Sequence, residues 1–237
     1  REKSCLKIYP ETVTLPLTFS QRFCYNKPIS NPLPLGRRNR MKTTKTTKEK
    51  LAGLVRVISI PPVMVTALLL ILYFWGPQPF CPVGELVTTI LLLGFVPVLA
   101  YPAQPLFPRY RSRGREGQRE LAFVFTGVGY TIAFLWALLA GVSPEIRTIC
   151  AGYFFSALFL TLCNRVLHRR ASGHACSAAG PLLFLIYYFG WWMLLPSIVI
   201  GWLVAWASVA LKRHTPTDLL WGALCSAAGF AIAVLWF

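Results

Sequence analysis

Acidic residues are scarce in this chain. Eight Asp and Glu face 24 Lys and Arg, and Asp218 is the sole aspartate. Charged residues of either sign fill only 14% of the 237 positions, against about a quarter in a typical soluble domain. That poverty, concentrated into clusters, excludes a large water-soluble core and leaves no soluble domain to carry nucleic-acid binding. Histidine occurs three times, as His168, His174 and His214, with no Cys or carboxylate joined to it at metal-ligand spacing. The seven cysteines are odd in number, contain no CxxC and fall mostly in apolar stretches. They indicate no disulfide framework and read as small hydrophobes.

What the chain has in abundance is apolar sequence, at 55% of residues. Seven apolar segments follow Met41, at roughly 57–75, 84–101, 120–141, 147–164, 175–190, 196–212 and 218–237. About 20 apolar residues are needed to cross the hydrocarbon layer, and an open chain in lipid satisfies its backbone only as helices. The expected fold is therefore all-α, a polytopic membrane bundle of six to seven transmembrane helices over residues 57–237. Residues 41–56 form a basic amino-terminal segment on the cytoplasmic side. Residues 1–40 are polar, basic and Pro-rich, with no apolar period. "MKTTKTTKEK", opening at Met41, resembles a genuine start. The stretch before it is expected to be disordered or a non-native upstream segment, with a transit peptide as the competing reading.

Seven crossings put the amino-terminal segment up to Arg56, the 102–119 loop, the 165–174 turn and the 211–217 turn on one face. That face receives Arg109, Arg111, Arg113, Arg115 and Arg119, then Arg165, Arg169 and Arg170, then Lys212 and Arg213. The other receives Arg147 together with Trp75, Trp191 and Trp192, where an aromatic belt belongs. The asymmetry assigns the basic face to the cytoplasm of an integral membrane protein.

On that face two turns carry chemistry. "ASGHA" (171–175) and "KRHTPTD" (212–218) each precede an apolar helix. Ser172 and Gly173 are cap-like. Thr215 suits the N-cap, Pro216 the first helical position and Asp218 the third. Two helix amino termini, with their free N–H groups and positive dipole ends, thus meet a cluster of cations, which is what a phosphate requires. Taken singly, Asp218 is also explained as half of a capping box. His168 reads as a bystander in a basic turn, and the 109–119 arginines as a solvated run facing anionic headgroups.

These turns resemble the second and third signatures of the type 2 phosphatidic acid phosphatase (PAP2) superfamily, P-S-G-H and then S-R, five residues, H, three residues, D. Ser172, Gly173 and His174 match the second, with Ala171 in place of Pro. His214 and Asp218 match the end of the third. "REGQRELAF" adds similarity to a bacterial membrane branch. The likeness covers the carboxy-terminal half; the first two helices are only generically similar. Two features depart from it. The third-motif arginine falls at Ser208, and the first motif, K, six residues, R-P, is missing: Arg113 plus seven is Glu120 and Arg111 plus seven is Gln118.

The resemblance implies a PAP2-like core in a bacterial plasma membrane and a hydrolase of lipid phosphate or prenyl diphosphate esters. His214 is then the nucleophile that forms a phosphohistidine, Asp218 orients its ring, and His174 protonates the leaving oxygen and later activates water. Ser172, Gly173, Arg165, Arg170, Lys212 and Arg213 are the implied phosphate-binding residues, and no metal or other cofactor is needed. The alternative is a non-catalytic relative that grips phospholipid headgroups or carries lipid. Oligomeric state is not legible in the sequence.

Overall fold

The computed structural model describes residues 46–76 and 80–237. Residues 1–40, and the expectations attached to them, lie outside the described residues. The described chain is helical, with no strand among the described residues. From Thr46 onward the basic segment is already ordered as helix α1 (Thr47–Ile58). A capping box starts it: Glu49 N–H donates to Thr46 Oγ1 and Thr46 N–H to Glu49 Oε2 at 3.1 Å. The chain then bends by 57° at Ser59–Ile60 into α2 (Pro61–Trp75), where two prolines at the first turn cost no hydrogen bond.

Val83–Leu106 is one continuous 24-residue span built from α3 (Val83–Thr89), a π-helical turn (Ile90–Phe95), α4 (Val96–Ala103) and a short 3₁₀ turn. After α5 (Pro108–Arg111) come α6 (Gly114–Leu139), α7 (Pro144–Arg165), α8 (Gly173–Phe189), α9 (Leu194–Ala210) and α10 (Pro216–Trp236). Among the described residues, five helical spans are long and apolar enough to cross a membrane alone, and a sixth if the bent α1–α2 pair counts as one. The fifth expected crossing, α8, has 17 residues, at the lower limit of what spans hydrocarbon, because Gly190 at φ 81° ends it. Helix starts lie up to six residues earlier than apolarity suggested. "GREGQRE" is charged yet forms the first turns of α6, since helices run past the apolar stripe into polar surroundings.

Alternating direction puts the α1–α2 bend, the α5 loop, the 166–172 turn and the 211–215 turn at one end of the bundle. Trp75, Trp191 and Trp192, all about 70% exposed, sit at the other. There Glu85 accepts from Ser143 N–H (3.0 Å) and Oγ–H (2.6 Å), tying α3 to the start of α7. The core runs along α2, the 83–106 span, α6, α7 and α8 through Leu68, Leu72, Leu93, Tyr130, Ile149 and Phe184. Glycine lets α10 close on its neighbours. A Cβ at Gly229 would overlap Ser156 of α7, and one at Gly222 the Ser172 carbonyl.

Candidate functional site

The site grows from the way two helices begin. Ser172 is the N-cap of α8, its Oγ accepting from Ala175 N–H at 3.3 Å. Thr215 is the N-cap of α10, with a complete capping box: Asp218 N–H donates to Thr215 Oγ1 (3.2 Å) and Thr215 N–H to Asp218 Oδ2 (3.1 Å). The two turns are stitched by one backbone bond, Ser172 N–H to the Asp218 carbonyl at 2.8 Å. His174 and His214 are thereby held at the same end of the bundle, and the charge of His214 bears on His174.

The turn before each helix has its own cause. Asn164 holds the 166–172 loop from the end of α7, accepting from Ala171 N–H (3.1 Å) and donating to the Ala171 carbonyl (3.3 Å). At the end of α9, Lys212 N–H bonds the Val209 carbonyl and Arg213 N–H the Ser208 carbonyl, with Lys212 left-handed at φ 51°. This is a Schellman ending with lysine where glycine is usual. Its reversal aims His214 back at the bundle.

Asp218 and His214 are both largely buried, and Asp218 Oδ2 lies 3.6 Å from His214 Nδ1 and 3.8 Å from Arg170 Nε. The first separation exceeds a hydrogen bond, and Nδ1 has no partner. Burial is the main influence lowering the His214 pKa. Arg56 and Arg170 push the same way and Asp218 opposes them. The charged form of the ring is therefore disfavoured. His174 Nε2 is 3.0 Å from Ser59 Oγ at the α1–α2 bend. Because the Ser59 hydroxyl proton goes to the Val55 carbonyl (2.8 Å), Ser59 accepts from Nε2–H. Nδ1 is then the ring nitrogen left for proton transfer.

The structure thus brings together His174, His214, Asp218, Ser172, Gly173 and Arg170. Ser172 spends its hydroxyl on the cap. Arg213 approaches electrostatically through Arg56. Arg165 sits apart, lining a groove on the outer α6–α7 surface with Val124 and Val128. Lys212 is exposed. Arg113, at the place where the first motif was sought, is paired with Glu116 (3.5 Å) and Glu120. Ser208 is fully buried and donates to the Val204 carbonyl at 2.9 Å.

Two residues escaped the sequence reading. Arg56 was counted only for its side of the membrane, yet it bears on both imidazoles. Ser59 carried no motif at all; only a helix ending beside a Pro-Pro start hinted that the chain bends there.

A cavity of about 210 Å³, lined by Gly173 but by neither imidazole, opens between α6, α7, α8 and α10. Arg119 and Gly173 line it near the site, and Tyr130, Tyr153, Phe184 and Phe230 line it deeper. Its walls are mostly apolar, with Ser226 Oγ and Tyr153 OH buried in them without hydrogen-bond partners.

No protein-family model, curated protein or solved structure matches the chain.

Proposed function

We propose that the protein is an integral-membrane phosphatase of the PAP2 type, acting on lipid phosphate or prenyl diphosphate esters through a phosphohistidine. The observation that carries this reading is the Ser172–Asp218 backbone bond, which ties the turn that carries His174 to the turn that carries His214 and Asp218, the only aspartate, at one end of the bundle. Headgroup binding alone calls for cations, not for two converging imidazoles. The adjoining apolar cavity suits a substrate with a hydrocarbon part.

In the first step His214 Nε2, the nitrogen turned away from Asp218, attacks phosphorus and the bond to the leaving oxygen breaks. His174 enters this step as the imidazolium, gives that oxygen its Nδ1 proton and keeps its Nε2–H on Ser59. In the second step His174 takes a proton from water, whose oxygen attacks phosphorus, and the N–P bond breaks to release phosphate and regenerate His214. Asp218 steadies the positive charge that His214 carries while phosphorylated. The 3.6 Å separation shortens to a hydrogen bond as that charge develops, as happens in sites that tighten only when occupied. The α8 and α10 amino termini and Arg170 stabilise the equatorial oxygens, where phosphoryl-transfer catalysis chiefly lies. None of these steps draws on a metal. The basic end faces the cytoplasm of a bacterial plasma membrane in this reading.

A second reading keeps the fold and the anion site without turnover. The unpartnered His214 Nδ1 and the serine at position 208 favour it. Phosphate release from a panel of lipid phosphates and prenyl diphosphates by detergent-purified protein, with a chelator present, separates the two. Release that vanadate blocks and that His214→Ala and His174→Ala both lose supports the enzyme. Headgroup binding that persists in both variants, with no release from the unaltered protein, supports the binder.

A further inference from the structure

We propose that the α1–α2 bend completes the phosphate site, with Arg56 supplying the cation that the sequence lacks at position 208 and Arg119 and Arg213 sharing the load. The inference rests on the anion site described above and concerns which residues grip the phosphoryl group.

Arg56 is half-buried, and its Nη1 is fully buried with no hydrogen-bond partner. A guanidinium carries five donors, and leaving one unmade in a buried place is costly, the more so for a charged group. The acids nearby do not serve it. Asp218 pairs with Arg170 and His214, Glu116 and Glu120 pair with Arg113, and among the described residues Arg56, Arg119 and Arg213 enter no ion pair. Yet the positive charges of Arg213 and Arg119 bear directly on Arg56. The three arrive from different elements: Arg56 from α1, Arg119 from α6 and Arg213 from the turn before α10. Like charges brought together by three separate elements, with the one nearby carboxylate, Asp218, already facing Arg170 and His214, leave a place suited to a multiply charged anion.

The bend is fixed against the site and is not a loose arm. Ser59, three residues beyond Arg56, holds His174 Nε2, and α1 packs along α9, whose end carries Arg213. Arg119 and Arg213 are exposed, as Arg115 is, so it is the Arg56 guanidinium nitrogen sealed from water that a solvated charge run does not account for. A phosphoryl group is the chemistry these donors share, whether it comes as a lipid headgroup or as free phosphate.

The test measures anion binding without turnover. Thermal stability of the purified full chain in neutral detergent is followed against inorganic phosphate in one arm and phosphatidic acid in mixed micelles in the other. The unaltered protein is expected to gain stability in at least one arm. Arg56→Gln is expected to raise the apparent dissociation constant roughly 10-fold there, with Arg56→Lys falling between, since a point charge replaces a fork of donors. Arg111→Gln, on exposed α5, is expected to leave binding unchanged. The anion-free melting temperature of each variant reports whether it folds, and the lysine variant keeps the test open if glutamine does not. Stabilisation by phosphatidic acid alone identifies a headgroup as the ligand; stabilisation by both identifies the phosphoryl group itself. Equal responses in the Arg56 variants and the unaltered protein overturn the proposal, as does no response of the unaltered protein in either arm. Binding lost with Arg56 but no phosphate release from any lipid upholds the cradle and sinks the phosphatase.

Discussion

The backbone N–H of Ser172 donates to the carbonyl oxygen of Asp218 at 2.8 Å, so the first residue of one motif is bonded to the last residue of the other across 46 positions of chain. Gly222 makes this approach feasible, because a Cβ there would overlap the Ser172 carbonyl and crowd Ala175 Cβ at 3.1 Å. Gly222→Ala is expected to destabilise the protein by about 1–3 kcal/mol, the usual cost of forcing atoms into a packed place, and to abolish phosphate release by parting the imidazoles. Gly53→Ala, where a Cβ meets nothing within 4 Å on α1, is the control. It is expected to gain about 0.5–1 kcal/mol from helix propensity. Chemical denaturation in micelles reads both.

The His214 pKa lies below its ordinary 6.5, chiefly through burial and then through Arg56. The charged ring is disfavoured in the folded state, so below 6.5 the unfolded state binds more protons and stability falls as pH drops. Activity that needs neutral His214 should therefore hold below pH 6.5 before failing. Arg56→Gln removes a repelling cation and is expected to move the acidic limb of kcat/KM upward; Asp218→Asn removes an attracting anion and moves it downward. A pH profile that neither substitution moves would remove His214 from the titrating role.

Much of the fold was legible because membrane helices announce themselves by uncharged length, and capping signals located two helix starts: Thr215-Pro216 and Ser172-Gly173 cap helices as their residue types dictate. The number of crossings was less legible. α1 and α2 are separated by a bend that Pro61 and Pro62 permit but do not direct, and α8 stops at 17 residues. Of the implied site, the imidazoles and Asp218 were proposed from motif. Arg56 and Ser59 were not, because their roles arise from tertiary approach. Arg165, eight residues ahead of Gly173, closes α7 and lines a groove with Val124 and Val128, a placement that its position in sequence did not foretell.

Ser59 holds His174 through a single bond of 3.0 Å and is itself anchored to Val55. Ser59→Ala is expected to lower kcat by about 3- to 10-fold, the worth of one hydrogen bond that sets a ring's orientation, while KM stays near its original value. Ser59→Thr, which keeps the hydroxyl, is expected to recover most of the rate. A Ser59→Ala protein with unchanged kcat would show that His174 needs no support from the bend.

Lys212 stands left-handed at φ 51° where the Schellman ending of α9 favours glycine. Lys212→Gly relieves that conformation and is expected to stabilise the protein by roughly 1 kcal/mol. Because Lys212 is exposed and enters no ion pair among the described residues, phosphate affinity should fall less than 2-fold. A large loss of affinity would instead assign its ammonium to the anion, as the sequence resemblance implied.

Asp218 does two jobs with one carboxylate, and substitution separates them. Oδ2 closes the capping box by accepting from Thr215 N–H, and the same oxygen faces His214 Nδ1 and Arg170. Asparagine retains an acceptor oxygen for the cap but carries no charge and presents an amide that donates. Asp218→Asn is therefore expected to keep the unfolding midpoint within about 0.5 kcal/mol of the unaltered protein, as a surviving cap predicts. It should lose roughly 10²- to 10⁴-fold in kcat, as when an orienting carboxylate beside a catalytic histidine becomes an amide. Asp218→Ala loses the cap too, and should unfold about 1 kcal/mol more easily with a similar kcat. If the two variants lose stability alike and keep their activity, Asp218 only caps α10, and the nucleophile must be steadied by the arginines alone.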